Sequence, residues 1–185
     1  MKHSRRARYP DAGGWQIRPS LVAGAQRPAP LAQLLEEPGS LTAALQQYGR
    51  VTVDVLSQAM SKPNADERTV LNARAQKRHL VREVVLHVDG TPWVFAHTVA
   101  NGAAQRLLAR AGGRPLATVL FADPQVKPTN LYYRRLDERH PLFAKVFRLV
   151  PSLKVFRSPK VFEARRALFV RGRARLLITE VFLIA

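Results

Sequence analysis

The sequence predicts an α+β fold, a single antiparallel sheet with helices set against it. Three observations lead there. LVREVVLHV (80–88) and PWVFAHTV (92–99) are apolar, β-branched runs separated by the tight-turn pair Asp89-Gly90, so they read as a hairpin. EARRALFV (163–170) and the closing LLITEVFLIA (176–185) form a second hairpin around Arg171-Gly172. Strands outnumber helices, and short turns join most of them.

The elements follow in order. Residues 1–30 mix arginine, glycine and prolines, including Pro10, Pro19 and Pro28, without periodicity, which predicts a flexible basic tail or an extended cover strand. The globular domain is expected over 31–185. LAQLLEE (31–37) is a short helix broken by Pro38-Gly39. Ser40 caps a second helix, LTAALQQY (41–48), which Gly49 ends. VTVDVLSQ (51–58) alternates and is β-branched, hence a strand. The polar stretch 59–79 holds a helix within ADERTVLNARAQKRH. GAAQRLLARA (102–111) is a helix stopped by Gly112-Gly113. PLATVLF (115–121) is a short apolar piece of open type, and NLYYRRL (130–136) is a strand.

Composition narrows the function. The 185 residues are 46% hydrophobic, enough for one domain with a core. There is no cysteine, which rules out disulfides, thiolate metal sites and a cysteine nucleophile. No apolar run approaches the ~20 residues of a membrane span, and the basic N-terminus lacks the apolar segment of a secretory signal. A cytoplasmic protein is expected.

The net charge of +17 and pI near 11.5 would attract polyanions, or suit a small dianionic substrate. The basic residues fall in short clusters such as Lys77-Arg78, Arg134-Arg135 and Arg165-Arg166, read for the most part as solvated surface charge. No helix-turn-helix, zinc-ligand or RNA-recognition pattern accompanies them, so nucleic-acid contact beyond nonspecific attraction is not expected.

The last strand raises a sharper question. Leu176, Ile178, Glu180, Phe182 and Ile184 share one face, and Leu177, Thr179, Val181 and Leu183 the other. Both faces are apolar, so the strand is central and covered on each side. Glu180 is then buried or lines an internal pocket, and a buried carboxylate must be paired, hydrogen-bonded or protonated. Arg82 is the lone charge on the face it shares with Val84, Leu86 and Val88. Two readings stand side by side. Arg82 and Glu180 form an ion pair inside the sheet, or they line a closed pocket where arginine grips an anion and glutamate handles a hydroxyl or a proton.

VREVVLHVDGTPWVFAHTV, followed by RPLATVLF and LLITEVFLIA, with SLTAALQQYG upstream, resembles bacterial chorismate lyase over about residues 31–185. The resemblance implies an antiparallel sheet with helical flaps over an internal ligand pocket. It implies conversion of chorismate to 4-hydroxybenzoate and pyruvate, the first step of ubiquinone biosynthesis, with no cofactor or metal. Residue by residue, Arg82 matches the arginine that binds the ring carboxylate, and Glu180 the glutamate at the 4-hydroxyl end. Leu116 matches the position whose backbone amide assists that carboxylate, and Leu41 an apolar flap residue. His97 stands, in AHTVAN, where the family has an arginine linked to a second anionic site, and Ala117 replaces a glycine. Residues 139–162, basic and rich in phenylalanine (Phe143, Phe147, Phe156, Phe162), look like an insertion. An amphipathic cover is the expected role, with a weak anionic-membrane contact as the alternative. A monomer is expected. A non-catalytic aromatic-acid sensor of the same fold is the competing function. His3, His79, His87 and His140 offer no metal-ligand spacing.

Overall fold

The structure is a computed structural model and describes residues 14–17, 29–154 and 159–184. In chain order the elements are α1 (Ala29–Glu36), α2 (Leu41–Leu45), β1 (Val51–Ser61), α3 (Ala65–Leu71), β2 (His79–Val88) and β3 (Thr91–Ala100). A 3-10 turn at Gly102–Ala104 leads into α4 (Gln105–Ala111), then α5 (Ala117–Leu120), β4 (Lys127–Pro128) and β5 (Tyr132–Leu136). Finally come α6 (Pro141–Leu149), β6 (Phe162–Arg171) and β7 (Ala174–Phe182). The strands form one seven-stranded sheet in the order β1-β2-β3-β7-β6, with β4 and β5 sharing the far side of β6. Every pairing is antiparallel.

The turns explain the pairings. Asp89 and Gly90 both adopt positive φ, 48° and 79°, as the mirror-image turn of a two-residue hairpin requires. The Asp89 carboxylate also accepts a hydrogen bond from the Arg50 amide at 2.9 Å, tying the hairpin to the entry of β1. Gly49 passes so close to this carboxylate that a Cβ there would collide with it. Ser40 caps α2 as expected, its hydroxyl accepting from the Ala43 amide at 3.3 Å. That helix ends at Leu45 rather than Tyr48, because Gln47 and Tyr48 donate to Ala44 and Leu45 in tighter three-residue turns. The stretch at 115–121 resolves as the short helix α5. β7 lies between β3 and β6 and is covered on both faces.

On one face, α1 and α2 pack Leu31, Leu34, Leu35, Leu41 and Leu45 over one end of β2, β3 and β7. The segments carrying Leu107, Leu108 and Leu120 cover the other end, against Leu176 and Ala100. A gap is left between these two groups. The opposite face is sealed by Val70 and Leu71 of α3 over Val81, Val99 and Leu177, and by Leu142 and Val146 of α6 over Phe95 and Val181.

Helix α6 carries the segment read as an amphipathic cover. Its Phe143 and Phe147 rings meet each other and Phe162 at 5.2–5.4 Å, so these aromatics turn toward the protein's own sheet. Phe156 lies outside the described residues, as does most of the N-terminal stretch. Within that stretch Trp15 is buried, and Gln16 exchanges backbone hydrogen bonds with Tyr133 at 2.7 and 2.8 Å.

Candidate active site

The gap on the first face is a cavity of about 530 Å³. Its floor is two adjacent cross-strand rows, fixed by register. One row runs Tyr133, Arg165, Glu180, Ala96, Val84 across β5, β6, β7, β3 and β2. The next runs Ala167, Ile178, Thr98, Arg82 across β6, β7, β3 and β2. The small side chains of Ala96 and Thr98 on β3 and Ala167 on β6 leave the space that the charged residues border. The structure brings Arg82, Glu180, Leu116 and Leu41 to this one cavity. Arg82 and Glu180 are offset by two strands and two residues. At about 4.8 Å per strand and 3.4 Å per residue, their Cα atoms lie about 12 Å apart.

Arg82 and Glu180 therefore do not pair, which removes the first of the two readings of these charges. Glu180 is bound by its direct cross-strand neighbour Arg165, whose Nε donates to Oε2 at 2.6 Å. The second oxygen, Oε1, makes no bond among the described residues and is not sealed from the cavity. Arg165 Nη1 donates to the carbonyls of Leu34 at 2.7 Å and Glu37 at 2.5 Å, and more weakly to Leu35 at 3.4 Å. One guanidinium thus fixes the carboxylate and closes the C-terminal end of α1, where orphan carbonyls need donors.

Arg82 is 3% exposed, and its acceptors are all neutral: Gln58 Oε1 and Arg114 O, each at 3.2 Å, and Gly112 O. Among the described residues no carboxylate reaches it. An uncompensated buried cation is costly, and an anion in the cavity would relieve it. The Leu116 amide, two residues beyond Arg114 at the start of α5, also makes no hydrogen bond among the described residues. The site therefore holds a desolvated guanidinium and a free backbone donor at one end, and a partnered carboxylate with a free oxygen at the other.

Sequence comparison decides what kind of protein carries this site. The sequence model of the chorismate lyase family matches residues 15–185. The chain belongs to the chorismate lyase family. It is 37% identical over 161 residues to a protein of Nitrosomonas europaea named probable chorismate pyruvate-lyase, covering 84% of this chain and 88% of that one. It is 39% identical over 180 residues to a protein of the same name from Halorhodospira halophila, covering 94% and 91%. Among solved structures, the C-terminal domain of PhnF superposes with a TM-score of 0.55 at 11% identity, covering 75% of this chain and 86% of that one. The ligand-binding domain of a putative GntR-family regulator from Bordetella bronchiseptica gives 0.52 at 14% identity, covering 73% and 85%. At such identities these two likenesses concern the fold alone.

Against the chorismate lyase pattern, His97 is the expectation that the structure corrects. Strand alternation puts Ala96 and Thr98 on the cavity face and sends His97 to the other. There it is 2% exposed between two carboxylates, with Nε2 at 3.0 Å from Glu67 Oε1 and Nδ1 at 3.1 Å from Glu83 Oε1. It has no route to a ligand in the cavity. Ala117, the other departure, sits in ordinary helical backbone, so the missing glycine imposes no strain there.

The sequence reading missed Arg165 by treating the Arg165-Arg166 pair as solvated. A signal was available: consecutive residues of a strand point to opposite faces, and both faces of this sheet are covered. Arg165 is 2% exposed and Arg166 is 1% exposed. Arg166 meets Asp66 at 2.8 Å and lies 4.0 Å from the Trp15 ring.

The network behind the sheet makes a testable prediction. Burial alone would raise the Glu83 pKa, but hydrogen bonds from His97 and from Lys145, the latter at 2.6 Å, hold it at about 2. Burial alone would lower that of His97, but the Glu67 charge and hydrogen bonds to Glu67 and Glu83 raise it above 6.5, against some opposition from Lys145. Glu67 Oε1 gains a hydrogen-bond donor only when His97 carries a proton on Nε2.

The stabilisation from His97 is then fully present below its ordinary pKa of 6.5 and lost as pH rises through the raised folded value. That from Glu83 is present above its ordinary value of 4.5 and lost as pH falls toward about 2. The Tm difference between wild type and His97→Gln should be largest between those ordinary values and shrink at higher pH. A difference that stays flat with pH would mean that His97 is neutral in the folded protein.

Proposed function

We propose that the protein converts chorismate to 4-hydroxybenzoate and pyruvate, the first step of ubiquinone biosynthesis. The observation that carries this reading is Arg82: a buried guanidinium without a carboxylate partner among the described residues, bordering a cavity whose far end presents Glu180. Chorismate has a carboxylate and a hydroxyl at opposite ends of a six-membered ring. The carboxylate meets Arg82 and the Leu116 amide, and the C4 hydroxyl donates to Glu180 Oε1. Leu41, from α2, closes over the ring.

The reaction breaks the bond between C3 and the ether oxygen and removes the hydrogen from C4. The enolpyruvyl oxygen leaves with the bonding pair, the electron pair of the C4–H bond completes the aromatic ring, and a proton equivalent to the one lost from C4 ends on the enolpyruvyl methylene carbon, which becomes the methyl of pyruvate. Aromatisation supplies the driving force, so the protein has mainly to orient, exclude water and place charge. Arg165, by holding Oε2, fixes the Glu180 carboxylate in place and leaves Oε1 for the substrate. Three guanidiniums, those of Arg82, Arg114 and Arg165, border the cavity against two carboxylates, Glu36 and Glu180, a balance that favours a dianionic substrate.

The test is to incubate purified protein with chorismate and follow both products. Equimolar 4-hydroxybenzoate and pyruvate, above the spontaneous rate, are expected. Binding of 4-hydroxybenzoate by calorimetry without any turnover would point instead to a sensor.

A further inference from the structure

With His97 on the far side of the sheet, the enolpyruvyl carboxylate of chorismate lacks an assigned partner. We propose that Tyr133 and Arg165 form its subsite, an inference that rests on the function proposed above.

The two residues are direct cross-strand neighbours on β5 and β6, and Glu180 is next in the same row. In chorismate the enolpyruvyl ether stands on the ring carbon beside the one bearing the C4 hydroxyl. A substrate with that hydroxyl on Glu180 therefore carries its second carboxylate close to Glu180, along this row. Arg165 has Nε on Glu180 and Nη1 on the α1 carbonyls, while Nη2 has no partner among the described residues. That nitrogen is not one of the sealed, unsatisfied atoms, so it reaches open space. The open space bordering this 2%-exposed side chain is the cavity. Tyr133 is 7% exposed, lines the same cavity, and its hydroxyl also lacks a hydrogen-bond partner among the described residues.

The tyrosine stays a donor. Burial raises its pKa above the ordinary 10; nearby Arg165 opposes this, and Glu36 adds to it. Two free donors, one carrying a full charge, thus border the same end of the cavity, the arrangement that a carboxylate accepts. Glu36 is the opposing charge there. Arg114, the third guanidinium of the cavity, stands at the Arg82 end: its carbonyl accepts from Arg82, and its Nη2 donates to the Arg110 carbonyl at 3.1 Å.

The experiment compares ligands that differ by this one carboxylate. Tyr133→Phe removes the hydroxyl and leaves the ring packed. The KM for chorismate should rise roughly 10- to 100-fold, the worth of a hydrogen bond to a charged group. The kcat should change less, because the contact is made in the ground state and the transition state alike. The affinity for 4-hydroxybenzoate, which lacks the enolpyruvyl group, should hold, and inhibition by pyruvate should weaken in parallel with the KM.

Arg165→Lys keeps a charge but loses Nη2 together with the Nε that holds Glu180, so its KM for chorismate should rise at least as much while kcat falls as well. An unchanged KM in Tyr133→Phe, or an equal loss for 4-hydroxybenzoate, overturns the subsite. A wild-type protein that consumes no chorismate overturns the function instead. The subsite then stands or falls on pyruvate binding by calorimetry, expected in wild type and lost in Tyr133→Phe.

Discussion

Replacing Arg82 by alanine should weaken 4-hydroxybenzoate binding by about 2–5 kcal/mol, the loss of an arginine–carboxylate contact in a dry site, and leave a folded sheet. The folded outcome follows from the pairing. Glu180 has its own partner in Arg165, so removing Arg82 strands no carboxylate. What the variant does strand is three carbonyl oxygens, on Gln58, Gly112 and Arg114. Gly112 and Arg114 flank the approach to α5, so this segment should loosen and the Leu116 amide lose its aim. Calorimetry with 4-hydroxybenzoate measures the first effect, and hydrogen exchange over 112–121 the second. Wild-type affinity in the variant would remove Arg82 from the binding role.

If Glu180 relays the proton leaving C4 as well as holding the hydroxyl, Glu180→Gln should lower kcat by about 10²–10⁴, the usual contribution of a positioned proton-transfer group. Glutamine keeps the size, and its carbonyl oxygen can still accept from Arg165 Nε. The amide nitrogen then takes the place of Oε1, the oxygen left for the ligand, and offers a donor where an acceptor is needed. Without the negative charge, Arg165 becomes a second buried cation held only by carbonyls, so some stability should be lost as well. Turnover per folded molecule, with the folded fraction taken from a denaturation curve at the same temperature, separates the two effects. Near-normal turnover would show that Glu180 serves Arg165 rather than the substrate.

Both predictions hang on pairings that were only half legible in the sequence. The faces could be read, because β2 and β7 alternate cleanly and each carries one charge among apolar residues on its cavity face. The two hairpins also reveal themselves locally, since Asp89-Gly90 and Arg171-Gly172 are turn residues between apolar runs. Which strand lies beside which is not local. β7 inserts between β3 and β6, and that register alone makes Arg165 the neighbour of Glu180 and places Arg82 two strands away. The opposite-face network is likewise assembled from α3, β2, β3 and α6, elements that no sequence spacing connects. His97 was misplaced for a simpler reason. Its neighbours Ala96 and Thr98 own the cavity face, and alternation from Arg82 and Glu180 gives no parity for β3 until the register is known.

On the proposed function, Arg82 is a buried cation that receives the ring carboxylate. The most direct measurement pairs two ligands with two proteins: 4-hydroxybenzoate and its neutral analogue 4-hydroxybenzamide, with wild type and Arg82→Ala. The wild type should prefer the acid over the amide by about tenfold or more, as a charge-assisted contact gives over a neutral one, and the variant should lose that preference and bind the two ligands about equally. A preference for the acid that survives in Arg82→Ala would show that Arg82 is not the carboxylate's partner.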